Sequence, residues 1–314
     1  VARRIAEVLA ANVWLMALLA VPVVLGMGHL YHWTDAAAAA HDPLLAGKTG
    51  FLNPGFFIAR LVAYFAIWGL LASFLHRTSV AQDASGDPAL TLRMERLSAP
   101  GMILFALSLN FAAFDILMSL DAHWFSTIFG VYYFAASVVG FLAVMPKILY
   151  ALQWRGILRN AVTVEHYHDF GKLLFAFIVF WAYIAFSQYM LIWYANIPEE
   201  TGWYLARQTG GWTAVTLLLL CGHFFLPFLG LLSRYPKRHR LLLMPGALWV
   251  LLMHWVDIYW LVMPGFSPSR VPLHLLDLTL FLGLGGLSAS LILLRLRGRS
   301  VIPERDPRLA ASLE

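Results

Sequence analysis

Apolar runs of twenty residues or more, separated by short polar stretches, dominate the chain. A helix needs about 20 mostly apolar residues to cross a bilayer. Eight segments reach that length: 5–31, 55–76, 98–120, 124–147, 168–195, 211–233, 241–263 and 273–296. They are apolar all round, whereas the strands of a membrane β-barrel alternate over about ten residues. The expected fold class is therefore all-α, a polytopic membrane protein with eight transmembrane helices. The longest connections, 32–54, 77–97 and 148–167, are too short for a soluble domain. Residues 1–314 are accordingly read as a single integral membrane domain. Segment 148–167 is basic and amphipathic, and fits an interfacial helix or a solvated loop.

Composition agrees and narrows the function classes. Hydrophobic residues make up 61% of the chain, charged residues 12%, and the mean hydropathy is +0.72. Soluble domains carry about 25% charged residues, so soluble enzymes, nucleic-acid binders and disordered chains are excluded. The single cysteine, Cys221, rules out an internal disulfide and an iron–sulfur cluster held by this chain alone. The sequence opens on Val1, directly ahead of an apolar run and without a signal-peptide pattern. The expectation is that the natural protein begins earlier.

The net charge of +5 acquires a meaning once the loops are grouped alternately. One side holds Arg3, Arg4, Arg77, Arg93, Arg96, Lys147, Arg155, Arg159, Arg234, Lys237, Arg238, Arg240, Arg295, Arg297, Arg299, Arg305 and Arg308, seventeen in all. The other holds three: Lys48, Arg207 and Arg270. Arg60 and Lys172 fall within spans. So strong an asymmetry predicts that the basic side, with both ends of this chain, is cytoplasmic. The basic excess then reflects orientation, and needs no nucleic-acid partner.

An ionisable side chain within a span costs at least about 2.5–3.5 kcal/mol on insertion scales, so it usually has a partner and a purpose. Three sets stand out. At the basic end of the fifth segment are Glu165, His166, His168, Asp169 and Lys172. They suit a proton-uptake cluster, or a plain interfacial cap with a snorkelling lysine. Near mid-depth are His223 and His254, on adjacent segments, with Ser187 and Gln188 extending a polar track. Toward the far end lie Asp115, Asp121, His123, Asp257, His274 and Asp277, with Arg60 and Tyr64 in reach. Asp257 is three residues beyond His254, on the same helix face. Histidines and carboxylates accept and release protons near neutral pH when burial and neighbours tune them. The pathway expected from these residues comprises Glu165, His166, His168, Asp169, Lys172, His223, His254, Asp257, His274 and Asp277. The outer group of Asp115, Asp121, His123 and Asp257 also suits a quinol site, where a base takes the hydroxyl proton as electrons leave. Trp255, Tyr259, Trp260, Tyr132 and Tyr133 would flank a quinone ring, although aromatic residues crowd membrane interfaces for lipid reasons alone.

Two stretches carry a resemblance: FAAFDILMSLDAHWFSTIFGVYYFAAS (111–137) and HDFGKLLFAFIVFWAYIAFSQYMLIWYANIPEE (168–200). Both resemble the NrfD-like, polysulfide-reductase type membrane subunits of bacterial alternative complex III, a quinol:cytochrome c oxidoreductase. The second, quinone-binding type of subunit is the more similar, and the tail DPRLAASLE (306–314) agrees. The resemblance implies four-helix bundles and ten spans in the full protein, two more than this chain holds. It implies a paralogous quinol-binding subunit, an iron–sulfur subunit, multihaem cytochrome c subunits and small membrane anchors as partners. Haems and iron–sulfur clusters would sit in those partners and none in this chain, with menaquinol or another quinol as the electron source. The location implied is the cytoplasmic membrane of a bacterium. The matching polar residues are Asp115, Asp121, His123, His168, Asp169 and Lys172.

Two other readings use the same residues. His223 and His254 would suffice as axial ligands of a b-type haem. A secondary transporter would have broken helices near mid-bilayer, and Gly283, Gly285 and Gly286 make the eighth segment the one Gly-rich span.

Overall fold

The structure is a computed structural model that describes residues 1–313. Helices and turns account for the described residues, with no strand among them. This is what a bilayer demands, since a helix satisfies its backbone hydrogen bonds within itself. Eight helices are long and apolar enough to cross a membrane: α1 (Arg3–Leu25), α2 (Pro54–Ser85), α3 (Ala89–Leu120), α4 (Phe129–Trp154), α5 (Val164–Ala195), α7 (Trp212–Leu232), α8 (Arg240–Gly265) and α9 (Leu275–Leu296). A shorter helix, α6 (Pro198–Gln208), lies between α5 and α7. The chain is thus an all-α, multi-pass membrane protein. Segment 148–167 is not a separate helix; α4 runs on to Trp154, a turn follows, and α5 starts at Val164. Gln153 closes that turn by donating to the Val162 carbonyl at 2.6 Å and accepting from the Tyr167 hydroxyl at 2.7 Å.

Local chemistry sets the ends. Asn53 caps α2 by accepting from the Phe56 amide, with Pro54 in the first turn, where a missing N–H costs nothing. Thr163 and His166 form a reciprocal cap on α5, and Asn196 ends it in the left-handed conformation at φ 52°. By contrast α1 is interrupted. It is helical over Arg3–Ala10, Val13–Leu19 and Val21–Leu25, and Pro22 removes the N–H that would have bonded the Leu18 carbonyl.

The chain divides into two compact units, residues 1–112 with 273–314, and residues 113–272. In the first, a charged network ties the start of α1, the end of α2 and the C-terminal segment. Arg4, 1% exposed, donates to Glu7, to Asp83 at 2.6 Å and to the Ser79 hydroxyl at 2.9 Å. Arg3 pairs with Glu7 and Asp306, and Arg299 reaches His76 Nε2 at 3.1 Å. In the second unit α4, α5, α7 and α8 pack around a core whose inward positions are small or aliphatic. Ala135, Ala136, Val139, Leu174, Ile178 and Val250 are wholly buried.

Candidate functional site

In the second unit Asp257 and His223 are both wholly buried. Asp257 is 0% exposed on α8, and its carboxylate accepts a hydrogen bond from the Tyr132 hydroxyl of α4. It makes no ion pair with any described residue. Trp181 Nε1 of α5 lies beside the same carboxylate, short of hydrogen-bond geometry. Its ring stands 6.0 Å from Tyr132 and 4.1 Å from the His223 imidazole, centroid to centroid. Trp181 therefore bridges the Tyr132–Asp257 pair to His223.

His223 sits on a distortion. Residues Leu219–Phe225 of α7 form a π-helical segment, a rare form frequent at functional sites. The sequence explains where it stops. The residue five beyond Gly222 is Pro227, which has no N–H to complete a π-type bond to the Gly222 carbonyl. The Trp249 indole of α8 donates to that carbonyl instead, at 2.7 Å. The distortion turns His223 fully inward, at 0% exposed, with neither ring nitrogen bonded to a described residue. Gly222 lets α7 and α8 approach, since a Cβ there would lie 2.8 Å from Met253 Sδ. That contact brings His223 and His254, the next residue along each helix, to one crossing. Gly140 of α4 accommodates the His254 ring, whose Cδ2 and Nε2 lie 3.0 and 3.2 Å from where its Cβ would be.

At the end of the unit away from the basic turns, α6 covers the bundle. Gln188 of α5, 3% exposed, accepts from Ser126 at 3.1 Å and donates to the Tyr204 hydroxyl of α6 at 3.0 Å. Trp203 stacks on Trp124 at 4.2 Å. Arg207 lies 3.4 Å over the Trp203 ring and is 4% exposed. Its guanidinium donates to three backbone carbonyls: Trp203 at 2.9 Å, Trp260 at 3.2 Å and Leu261 at 2.8 Å. The last two lie in the final turn of α8, where carbonyls lack helical partners. Trp260 Nε1 donates to Thr216, whose hydroxyl donates to the Arg207 carbonyl at 2.6 Å, closing a ring of bonds through α6, α7 and α8. Burial pushes the Arg207 guanidinium down to about 9, against Asp121 and Tyr204, which raise it. It therefore stays charged at neutral pH. Burial pushes the Tyr204 hydroxyl up, against Gln188 and Arg207.

The other sequence-derived candidates are placed differently. Glu165 is exposed and bonded through both oxygens to Arg238, with His168 Nδ1 at 3.6 Å. His166 belongs to the α5 cap. Asp169 and Lys172 form an exposed pair at 2.7 Å. Trp181 lies sixteen residues beyond Glu165, about 24 Å along the helix. The layer between is apolar, with Ala143, Leu174, Ile178, Leu243, Ala247 and Val250 all wholly buried. Asp115 is 1% exposed near the end of α3, Asp121 is half-buried, and His123 is exposed. His274 and Asp277 belong to the first unit. There they cap α9 reciprocally, the Asp277 carboxylate accepting from the His274 amide at 2.9 Å. Helix α9 runs unbroken through Gly283, Gly285 and Gly286; the irregular span in the second unit is α7. Among the described residues no three His, Cys, Asp or Glu side chains are grouped to hold a metal ion.

Sequence reasoning passed over Trp181, Tyr204 and Arg207 as functional residues, and Glu7, His76 and Asp83 in the first unit. Tyr132 entered only as an aromatic. Arg207 carried one signal, as one of only three basic residues on the side opposite the basic loops. The fold and site together define a multi-pass α-helical membrane protein with a buried, four-helix centre of Asp, Tyr, Trp and His. No protein-family model and no curated protein matches the sequence.

Proposed function

We propose that the chain is a membrane subunit of a quinol:cytochrome c oxidoreductase of the alternative complex III type, exchanging protons at the Asp257–Tyr132 centre. The observation that carries this reading is the hydrogen-bonded Tyr132–Asp257 pair, wholly buried and without a cation, beside two imidazoles with unbonded ring nitrogens. An intramembrane carboxylate so placed is by default a functional group. The two stretches that resemble the NrfD-like subunits supply Tyr132, Trp181 and Gln188, and so most of the α4 and α5 contribution. Protons would reach Asp257 from the α6 end, along Ser126, Gln188 and Tyr204. Transfer to the Glu165–Lys172 set would need water or a helix movement across the apolar layer of Leu174 and Ile178. Redox groups, in this reading, belong to partner subunits, and this chain contributes no haem ligand. The basic end faces the cytoplasm of a bacterium.

The test is proton-to-electron stoichiometry of the whole complex in liposomes. Asp257→Asn and His254→Gln each lower it while assembly is retained; an unchanged ratio in both variants refutes the reading. Quinol binding at Asp115, Asp121, His123 and Asp257 is the other arm of the proposal. A photoreactive quinone analogue then labels peptides containing Asp115 or Asp257, and labelling confined to the paralogous subunit removes that arm.

A further inference from the structure

The turn between α7 and α8 concentrates charge in a way the proton reading does not use. Arg234, Lys237, Arg238 and Arg240 fall within seven residues, and no Asp or Glu occurs between Glu200 and Asp257. Of these four cations, Glu165 engages only Arg238. The other three cations have no acidic partner among the described residues: Lys237 Nζ lies 5.1 Å over Phe175, Arg240 lies 5.0 Å over Tyr167, and Arg234 is exposed. The turn is held in place, because Gly171 leaves room for Lys237, whose Cγ lies 2.8 Å from where a glycine Cβ would be. Arg238, His239 and Arg240 line a cleft of about 530 Å³ with Val164 and Leu241. Directly below it on α8, Leu241, Leu248 and Leu252 form one outward stripe, 83%, 49% and 45% exposed. A basic turn beside an apolar-lined cleft at the head of a span, continuous with an apolar stripe along it, complements the two parts of an anionic phospholipid.

From this juxtaposition we infer that the Arg238–Leu241 cleft binds the phosphate headgroup of an anionic phospholipid, its acyl chains lying along Leu241, Leu248 and Leu252. Each unpaired arginine near an anionic headgroup contributes roughly fivefold in affinity. The experiment is native mass spectrometry of the detergent-purified protein, with dioleoylphosphatidylglycerol or dioleoylphosphatidylcholine added and inorganic phosphate as competitor. Phosphatidylglycerol is retained in preference to phosphatidylcholine. Arg240→Gln lowers that retention about fivefold, and Arg234→Gln, a change at an exposed side chain that leaves the fold intact, lowers it in the same direction. Arg270→Gln, distant from the cleft in sequence and outside its lining, leaves it unchanged. Equal retention of the two lipids, or phosphatidylglycerol retention unaffected by both Arg240→Gln in the cleft and Arg234→Gln on the same turn, overturns the inference. Displacement by millimolar phosphate overturns it too, because the acyl stripe would then contribute nothing. An acidic protein captured at the cleft in place of lipid would likewise count against it.

Discussion

Removing the Tyr132 hydroxyl tests whether it is the sole hydrogen-bond partner of the buried Asp257 carboxylate. Tyr132→Phe keeps the ring, and with it the parallel packing on Phe129 at 6.2 Å and the contact with Trp181 at 6.0 Å. No cavity larger than a hydroxyl is created. What disappears is the one hydrogen bond that the Asp257 carboxylate accepts. A buried acceptor left unsatisfied costs about 1–3 kcal/mol, so the variant should unfold earlier by that amount in a denaturant titration in mixed micelles. Tyr132→Phe combined with Asp257→Leu removes both partners and should cost less than the sum of the single changes. The expected coupling energy is about 1 kcal/mol or more. A Tyr132→Phe loss below about 0.5 kcal/mol, with no coupling, would mean that water or another group already serves Asp257, and the role of Tyr132 as its sole partner would be refuted.

Arg207→Lys retains the charge but not the fork that reaches three carbonyls. It should cost about 1.5–3 kcal/mol and speed hydrogen exchange in 198–208 and in the last turn of α8, read by mass spectrometry. Gly140→Ala gains helix propensity, at most about 1 kcal/mol, but sets a Cβ 3.0 Å from the His254 ring. The net loss should be about 1–3 kcal/mol by the same unfolding titration, and His254→Ala in the same chain should relieve it. Glu165→Gln breaks an exposed pair, and the stability change should stay below about 1 kcal/mol. A larger loss would mean that the pair is shielded from solvent.

Much of the architecture was legible in the residue order, and the reasons are physical. A bilayer leaves the backbone no partner but itself, so an apolar run of sufficient length is a helix wherever it occurs. Segment ends were less accurate, because α2, α3 and α4 run on past the apolar stretch into polar sequence: Ser85 where 76 was expected, Ala89 where 98 was, and Trp154 where 147 was. His254 and Asp257 were legible as a pair because three residues make one helical turn. The hydrogen-bond partner of Asp257 was not, since Tyr132 lies 125 residues away. The π-helical segment escaped because Gly222, His223 and Pro227 differ from an ordinary helix only once α8 offers an indole to the Gly222 carbonyl. Arg207 read as a loop cation because nothing in its neighbourhood announces that α8 will end against it. Arg4 read as a span-flanking cation and Glu7 and Asp83 were passed over, yet α2 and the C-terminal segment enclose this network.

Composition and periodicity therefore settle everything that one helix decides alone in lipid: the number of spans, their class, and which residues share a face. Which buried groups meet depends on helix–helix contact, and contact depends on small side chains and on distortions in other helices. Gly140, Gly222 and the turn of α7 around His223 converted scattered polar positions into one centre around Asp257, and left Glu165 and Asp169 at the surface.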